Sequence, residues 1–236
     1  MKGRVLIVGG SEEYAGAPYL AAMAALRYGA ESVLVMTPEK VAWSINALSP
    51  DPVSRKLKGA HLSPSHSAII KEQLKTADVL VIGNGATTKS GSATLMRSLM
   101  KLPILKVIDA DAIKVMSNSA ITHAVLTPNP REWKLLEKIG IQKLLHKNVI
   151  VKKTERTTVI MSGTKKHTIS HLHPNLTKAG TGDVLSGLIA GNLARGMDPF
   201  RAAKDAANVG NTIMWSLTKK HGRQFDLIAS DILRGL

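Results

Sequence analysis

The chain contains no cysteine, which excludes disulfide bonds, thiolate nucleophiles and cysteine-based zinc sites together. Aromatic residues are scarce, with three Trp, three Tyr and two Phe. Single-strand nucleic-acid readers stack bases on aromatic side chains, so that class is disfavoured. Acidic residues are few: 17 Asp and Glu stand against 32 Lys and Arg, for a formal charge of +15. The basic residues are scattered, as at Lys143 and Lys147, Lys165 and Lys166, and Lys219 and Lys220. A solvated basic surface with a general attraction for polyphosphate ligands accounts for them without a nucleic-acid partner. No apolar run approaches the length of a membrane span. The opening Met1-Lys-Gly-Arg-Val-Leu-Ile-Val-Gly-Gly10 is too short in apolar residues for a signal peptide, so a cytoplasmic location and no membrane partner are expected. His-Glu-x-x-His and Gly-x-Ser-x-Gly are absent, and His167, His171 and His173 read as surface residues in preference to metal ligands.

What is present alternates. Short apolar runs at Val5–Val8, Val33–Met36, Val79–Ile82, Ile104–Ile108, His123–Leu126, Val149–Val151 and Thr157–Met161 read as strands, most ending in Gly, Pro or Asp. The last is expected in a hairpin with His167–Ser170. Ala-rich Pro18–Tyr28 and Ser92–Met100 read as helices, residues 39–76 as helices separated by loops, and the chain from Asp183 onward as mostly helical. Near-continuous apolar strands between helices predict an α/β sandwich, a largely parallel sheet covered on both faces, in a single domain spanning 1–236. Ligands of such sheets bind at the carboxyl ends of the strands. The polar segments Gly9-Gly10-Ser11, Gly83-Asn84-Gly85, Asp109-Ala-Asp111 and Thr127-Pro-Asn129 all follow strands and are expected to gather there.

The organising stretch is Asn175-Leu-Thr-Lys-Ala-Gly-Thr-Gly-Asp-Val-Leu-Ser-Gly-Leu-Ile-Ala-Gly-Asn-Leu-Ala-Arg-Gly196. A glycine loop opens directly into an apolar helix, and unpaired amides plus the helix dipole make such a start an anion site. Small Gly187, Ala190, Gly191 and Ala194 allow that helix to lie close against a neighbour. Asp183 has two readings. It is an N-cap that satisfies the helix end, or a base that takes a proton from a substrate hydroxyl while the loop amides hold a phosphoryl group. A second glycine-bearing segment, Gly83-Asn-Gly-Ala-Thr-Thr-Lys-Ser90, is one residue short of a P-loop and has Thr88 where glycine is needed. It reads as a tight turn against a ligand.

Gly9-Gly-Ser-Glu-Glu-Tyr-Ala-Gly-Ala-Pro18, Ile82-Gly-Asn-Gly-Ala86, Ile108-Asp-Ala-Asp-Ala112, Leu126-Thr-Pro-Asn-Pro-Arg-Glu132 and Ala179-Gly-Thr-Gly-Asp-Val-Leu185 occur in that order. Together they resemble the NAD(P)H-hydrate dehydratase family, from about residue 5 to 233. The resemblance implies a ribokinase-like three-layer α/β sandwich and a repair reaction. In that reaction ADP or ATP, with Mg2+, drives removal of the hydroxyl from hydrated NADH or NADPH. It implies Asp183 as the catalytic base. Ala17, Gly85, Asn129 and Asp183 would face the hydrate; Lys152, Thr158, Ala179, Gly180, Thr181 and Gly182 would face the adenine nucleotide. It also implies a homo-oligomer, with epimerisation of the hydrate spontaneous or carried out separately. The chain departs from the family pattern in three places. Asn129 stands where histidine is usual, Val151-Lys-Lys-Thr-Glu-Arg-Thr-Thr158 lacks the usual glycine after lysine, and His173-Pro-Asn-Leu-Thr-Lys178 replaces a glycine-rich run. The rival expectations are a small-alcohol kinase using the same loop and base, and a non-catalytic basic protein that binds nucleic acid.

Overall fold

Every apolar run expected to be a strand is one in the computed structural model, which describes residues 3–117, 120–172, 174–221 and 226–236. The strands are β1 (Arg4–Val8), β2 (Ser32–Pro38), β3 (Val53–Leu57), β4 (Val79–Ile82), β5 (Leu105–Ile108), β6 (Ala124–Leu126), β7 (Val149–Lys153), β8 (Thr157–Ser162) and β9 (Lys165–Ser170). The helices are α1 (Gly16–Arg27), α2 (Glu39–Leu48), α3 (Ser67–Leu74), α4 (Ser90–Met100) and α5 (Asp111–Lys114). They continue with α6 (Pro130–Ile139), α7 (Ile141–Leu145), α8 (Thr181–Ala194), α9 (Pro199–His221) and α10 (Ala229–Gly235).

These strands form one sheet in the order β3-β2-β1-β4-β5-β6-β7-β8-β9. Pairing is parallel from β3 through β7, and β8 and β9 add an antiparallel edge. β3 is the element the sequence reading missed. Its Val53-Ser-Arg-Lys-Leu57 is mostly polar because it is an edge strand, with Val53 itself exposed.

Strand geometry turns successive side chains to opposite faces, and here both faces are dry. On β1, Val5 and Ile7 pack with the helices α1, α2, α8, α9 and α10. Leu6 and Val8 pack with α3, α4, α5, α6 and α7 on the other side. β4 repeats the pattern with Val79 and Val81 against Leu80 and Ile82. The result is a three-layer sandwich, with each buried aliphatic side chain contributing about 1.5–3 kcal/mol. β1 lies between β2 and β4, so the chain reverses its direction of travel across the sheet there. That switch point opens a crevice at the carboxyl ends of β1 and β4.

Among the described residues no helix is long and apolar enough to cross a membrane.

Candidate active site

The polar segments after β1, β4, β5 and β6 converge at this crevice. The Gly10 amide donates to the Asn84 carbonyl at 2.8 Å, tying the β1 and β4 turns together. Gly83 has φ +114°, and a Cβ there would come within 2.1 Å of the Asp109 carbonyl oxygen, so the β4 turn has room only for glycine. Beside it Asn84 is fully buried. Its Nδ2 donates toward Asp183 Oδ1 at 2.7 Å, Ser186 Oγ at 3.1 Å and Asp109 Oδ2 at 3.3 Å. Asp109 is also buried, and its Oδ1 accepts from Thr127 Oγ1 at 2.6 Å and faces Lys153 Nζ at 3.3 Å. One network thus joins the ends of β4, β5, β6 and β7 to the first turn of α8.

α8 begins earlier than its apolar pattern suggests. Gly180 is the N-cap, in the left-handed region at φ +84°, and a Cβ there would lie 2.8 Å from both Ala229 Cβ and Leu20 Cδ1. Thr181 fixes the loop by donating its hydroxyl toward the Leu176 and Lys178 carbonyls at 2.8 and 2.7 Å. Asp183 is therefore the third helical residue, and the N-cap reading is corrected. With capping left to Gly180, the Asp183 carboxylate turns to Asn84 and the cleft. Burial, and next the charge of Asp109, push its pKa up to about 7, against the opposing pull of the Asn84 hydrogen bond and Lys153. A carboxyl poised near neutrality can both take and return a proton.

A cleft of about 320 Å3 runs from this network along α8. Asp109, Lys153, Gly182 and Asp183 line one end; Leu185, Leu188, Ala206, Ala207 and Ile232 supply an apolar wall. Ala179, Gly180, Thr181 and Thr158 line it as well. Thr158 Oγ1 is 2.9 Å from His171 Nε2, whose ring also meets the Glu155 carbonyl. Burial lowers the His171 pKa against the opposing pull of the Glu155 carbonyl, and so favours the neutral imidazole. Among the described residues no group of three or more His, Asp and Glu is placed to hold a metal ion by itself, and His173 lies outside those residues.

Two expected residues have different surroundings. Asn129 lines the cleft, but its Oδ1 accepts the Arg131 and Glu132 amides at 2.9 and 3.0 Å, while Glu132 reaches back to the Asn129 amide. It is the N-cap of α6, half of a capping box. Lys152 does not line the cleft: its ammonium lies over the Trp133 ring, 4.1 Å from the centroid. Lys153, which the sequence reading passed over, is the lysine of the site. Strand phase is the signal that could have found it: Val149 and Val151 face the α8 layer, and Lys153 continues their face, whereas Lys152 shares a face with Ile150. Ala17 and Gly85 lie outside the cleft beside the Asn84 turn, where a Cβ on Gly85 would come 3.1 Å from Ala17 Cβ.

This chain is 34% identical to a bifunctional NAD(P)H-hydrate repair enzyme of Methanothermobacter thermautotrophicus, over 98% of the chain and 48% of that protein. It is 30% identical to an ADP-dependent (S)-NAD(P)H-hydrate dehydratase of Nitrosopumilus maritimus, over 93% of the chain and 83% of that protein. The chain spans about half the length of the bifunctional relatives. Its fold is ribokinase-like. It superimposes on an ADP/ATP-dependent NAD(P)H-hydrate dehydratase of Bacillus subtilis, co-crystallised with ATP and Mg2+, with a TM-score of 0.77 at 22% identity, covering 98% of this chain and 86% of that one. The model of the NAD(P)H-hydrate dehydratase family matches residues 5–234, and the chain belongs to that family.

Proposed function

We propose that this chain removes the hydroxyl of (S)-hydrated NADH or NADPH using ADP, yielding NAD(P)H, phosphate and AMP. The observation that carries the reading is Asp183, a carboxyl with a pKa of about 7 at the mouth of an anion-binding helix start. Asp183 takes the proton of the hydrate hydroxyl as its oxygen attacks the terminal phosphorus of the nucleotide. The P–O bond to AMP breaks, and the first-turn amides of α8 stabilise the charge that builds on the phosphoryl oxygens. Phosphate then leaves with the C–O electron pair, a proton is lost from the adjacent ring carbon, and the ring double bond returns.

In this reading the adenine rests on the apolar wall of Leu185, Leu188, Ala206 and Ala207, with Thr158 and Ala179 to Gly182 around the phosphates. Ala17, Gly85 and Asn129 face the hydrate. The residues present fit a Mg2+ that arrives on the nucleotide phosphates, with Asp109 and Asp183 the carboxylates within reach; bound there, it would offset phosphate charge. The reading also takes the chain to act as one catalytic domain in the cytoplasm, as a homo-oligomer.

The kinase alternative shares every feature up to phosphoryl transfer and differs in the product. Phosphorus NMR of a reaction containing hydrated NADH, Mg2+ and ADP separates them. AMP and free phosphate appearing in step with NADH is the expected result. Accumulation of a stable phosphate ester would overturn the dehydratase in favour of the kinase.

A further inference from the structure

We infer that Asn84 positions the base of this site: its side-chain amide holds Asp183 by Oδ1 and leaves Oδ2 as the oxygen that takes the hydroxyl proton. The inference rests on the phosphoryl transfer proposed above and adds a positioning residue to it. Asn84 is held in place by its own turn. Gly83 and Gly85 on either side have φ of +114° and +65°, and a Cβ on Gly85 would meet the Tyr14 carbonyl oxygen at 2.7 Å. The Asn84 carbonyl is tied to the Gly10 amide at 2.8 Å. What the side chain faces fixes its orientation. Ser186 Oγ gives its own proton to the Asp183 carbonyl at 2.8 Å, so toward Asn84 it can only accept. The carboxylates of Asp183 and Asp109 accept as well, so the amide turns its nitrogen to all three. Its two N–H groups serve the two nearest acceptors, Asp183 at 2.7 Å and Ser186 at 3.1 Å.

The other end of that amide is what marks it as functional. Asn84 Oδ1 is buried and has no partner among the described residues. An orphaned buried acceptor is costly, and an apolar side chain would avoid the cost. The amide is therefore kept for what its nitrogen does. Among the described residues Asn84 is the one hydrogen-bond donor to the Asp183 carboxylate, and none reaches Oδ2. Asp109 lines the same end of the cleft as a second carboxylate, and like charges drive the two apart. A donor fixed to Oδ1 holds Asp183 against that repulsion, with Oδ2 open to the substrate. As the hydroxyl proton moves to Oδ2, Asn84 keeps both of its protons and goes on donating to Oδ1, by then the carbonyl oxygen of the acid. One arrangement thus serves Asp183 before and after the transfer, with no reorganisation during the step.

Steady-state kinetics with hydrated NADH, calorimetric titration with ADP and a crystal structure of the Asn84→Ala variant test this. In that variant kcat is expected to fall about 10²-fold, with KM for the hydrate and Kd for ADP within about twofold of wild type. Its Asp183 carboxylate is expected to leave the wild-type position. A merely structural role for Asn84 would weaken binding together with kcat, or leave Asp183 where it was. Either result, or kcat within about threefold of wild type, would overturn the inference. If Asn84→Ala does not fold, Ser186→Ala carries the test, because it removes the acceptor that locks the amide. It is expected to lower kcat about fivefold with KM unchanged, and wild-type kcat would overturn the inference. Wild-type protein that converts no hydrate would refute the reaction itself. The place of Asp183 in the variant crystal would then still decide whether Asn84 holds the carboxylate.

Discussion

Asp183 carries a conflict between stability and function that can be measured. Its folded pKa of about 7 is above the ordinary 3.8, so the folded state holds the proton more tightly than the unfolded chain. Stability is therefore lost as pH rises from about 4 to 7, and the cost of the buried charge is complete above pH 7. Asp183→Asn is expected to be inactive but to melt higher than wild type at pH 8, with the gain vanishing toward pH 4. Scanning calorimetry at the two values checks this; an equal difference at both would contradict the assigned environment. Lys106 is a second buried charge, fully inside the sheet, with its Nζ on the Thr122 carbonyl at 2.7 Å. Desolvation lowers its pKa from 10.5 to about 8, so the folded state gives up the proton first and the penalty is relieved as pH rises between those values. The stability advantage of Lys106→Met over wild type is expected to shrink by something on the order of 3 kcal/mol from pH 8 to 10.5. Denaturant titration at both values measures it, and a constant gap would rule the assignment out. Neither environment was legible in the sequence. A lysine within Leu105–Ile108 reads as a polar interruption, and the choice between Lys152 and Lys153 depends on strand phase.

At the scale of elements, the contact of α1 with α8 depends on small residues that the sequence did expose. A Cβ added at Gly187 would come within 2.2 Å of the Ala21 carbonyl oxygen, a backbone atom that cannot step aside. Gly187→Ala is expected to destabilise the protein by about 2 kcal/mol, although alanine is favoured over glycine in a helix by about 1 kcal/mol. Gly210 on α9 is the matched control: a Cβ there meets nothing within 4 Å, so Gly210→Ala is expected to stabilise by about 0.5–1 kcal/mol. Urea unfolding of the two variants decides it; equal effects would contradict the close packing. Parallel strands were legible because both faces are buried and each run ends in a turn residue. β3 was not, since its exposed edge carries Ser54, Arg55 and Lys56. The start of α8 was placed too late because Gly180, in a left-handed conformation, takes the capping role that Asp183 was considered for.

Across the whole molecule the charge is uneven. Residues 138–182, which supply β7, β8, β9 and the glycine loop, hold nine Lys and Arg and a single acid, Glu155. Both proposed substrates are polyanions, so a basic field around the cleft raises their rate of encounter and is screened by salt. Raising NaCl from about 20 to 200 mM is expected to lower kcat/KM several-fold for the hydrate and the nucleotide while kcat holds. A fall in kcat alone would place the salt effect on chemistry instead. The central claim, that this cleft restores a hydrated nicotinamide ring by phosphoryl transfer with Asp183 as base, is tested most directly by the absorbance of reduced nicotinamide. Hydrated NADH is mixed with the protein, Mg2+ and either ADP or ATP, with Asp183→Asn in parallel. Recovery of the absorbance with ADP, abolished in the variant, is the predicted result. No recovery with either nucleotide, from protein shown to be folded, would contradict it.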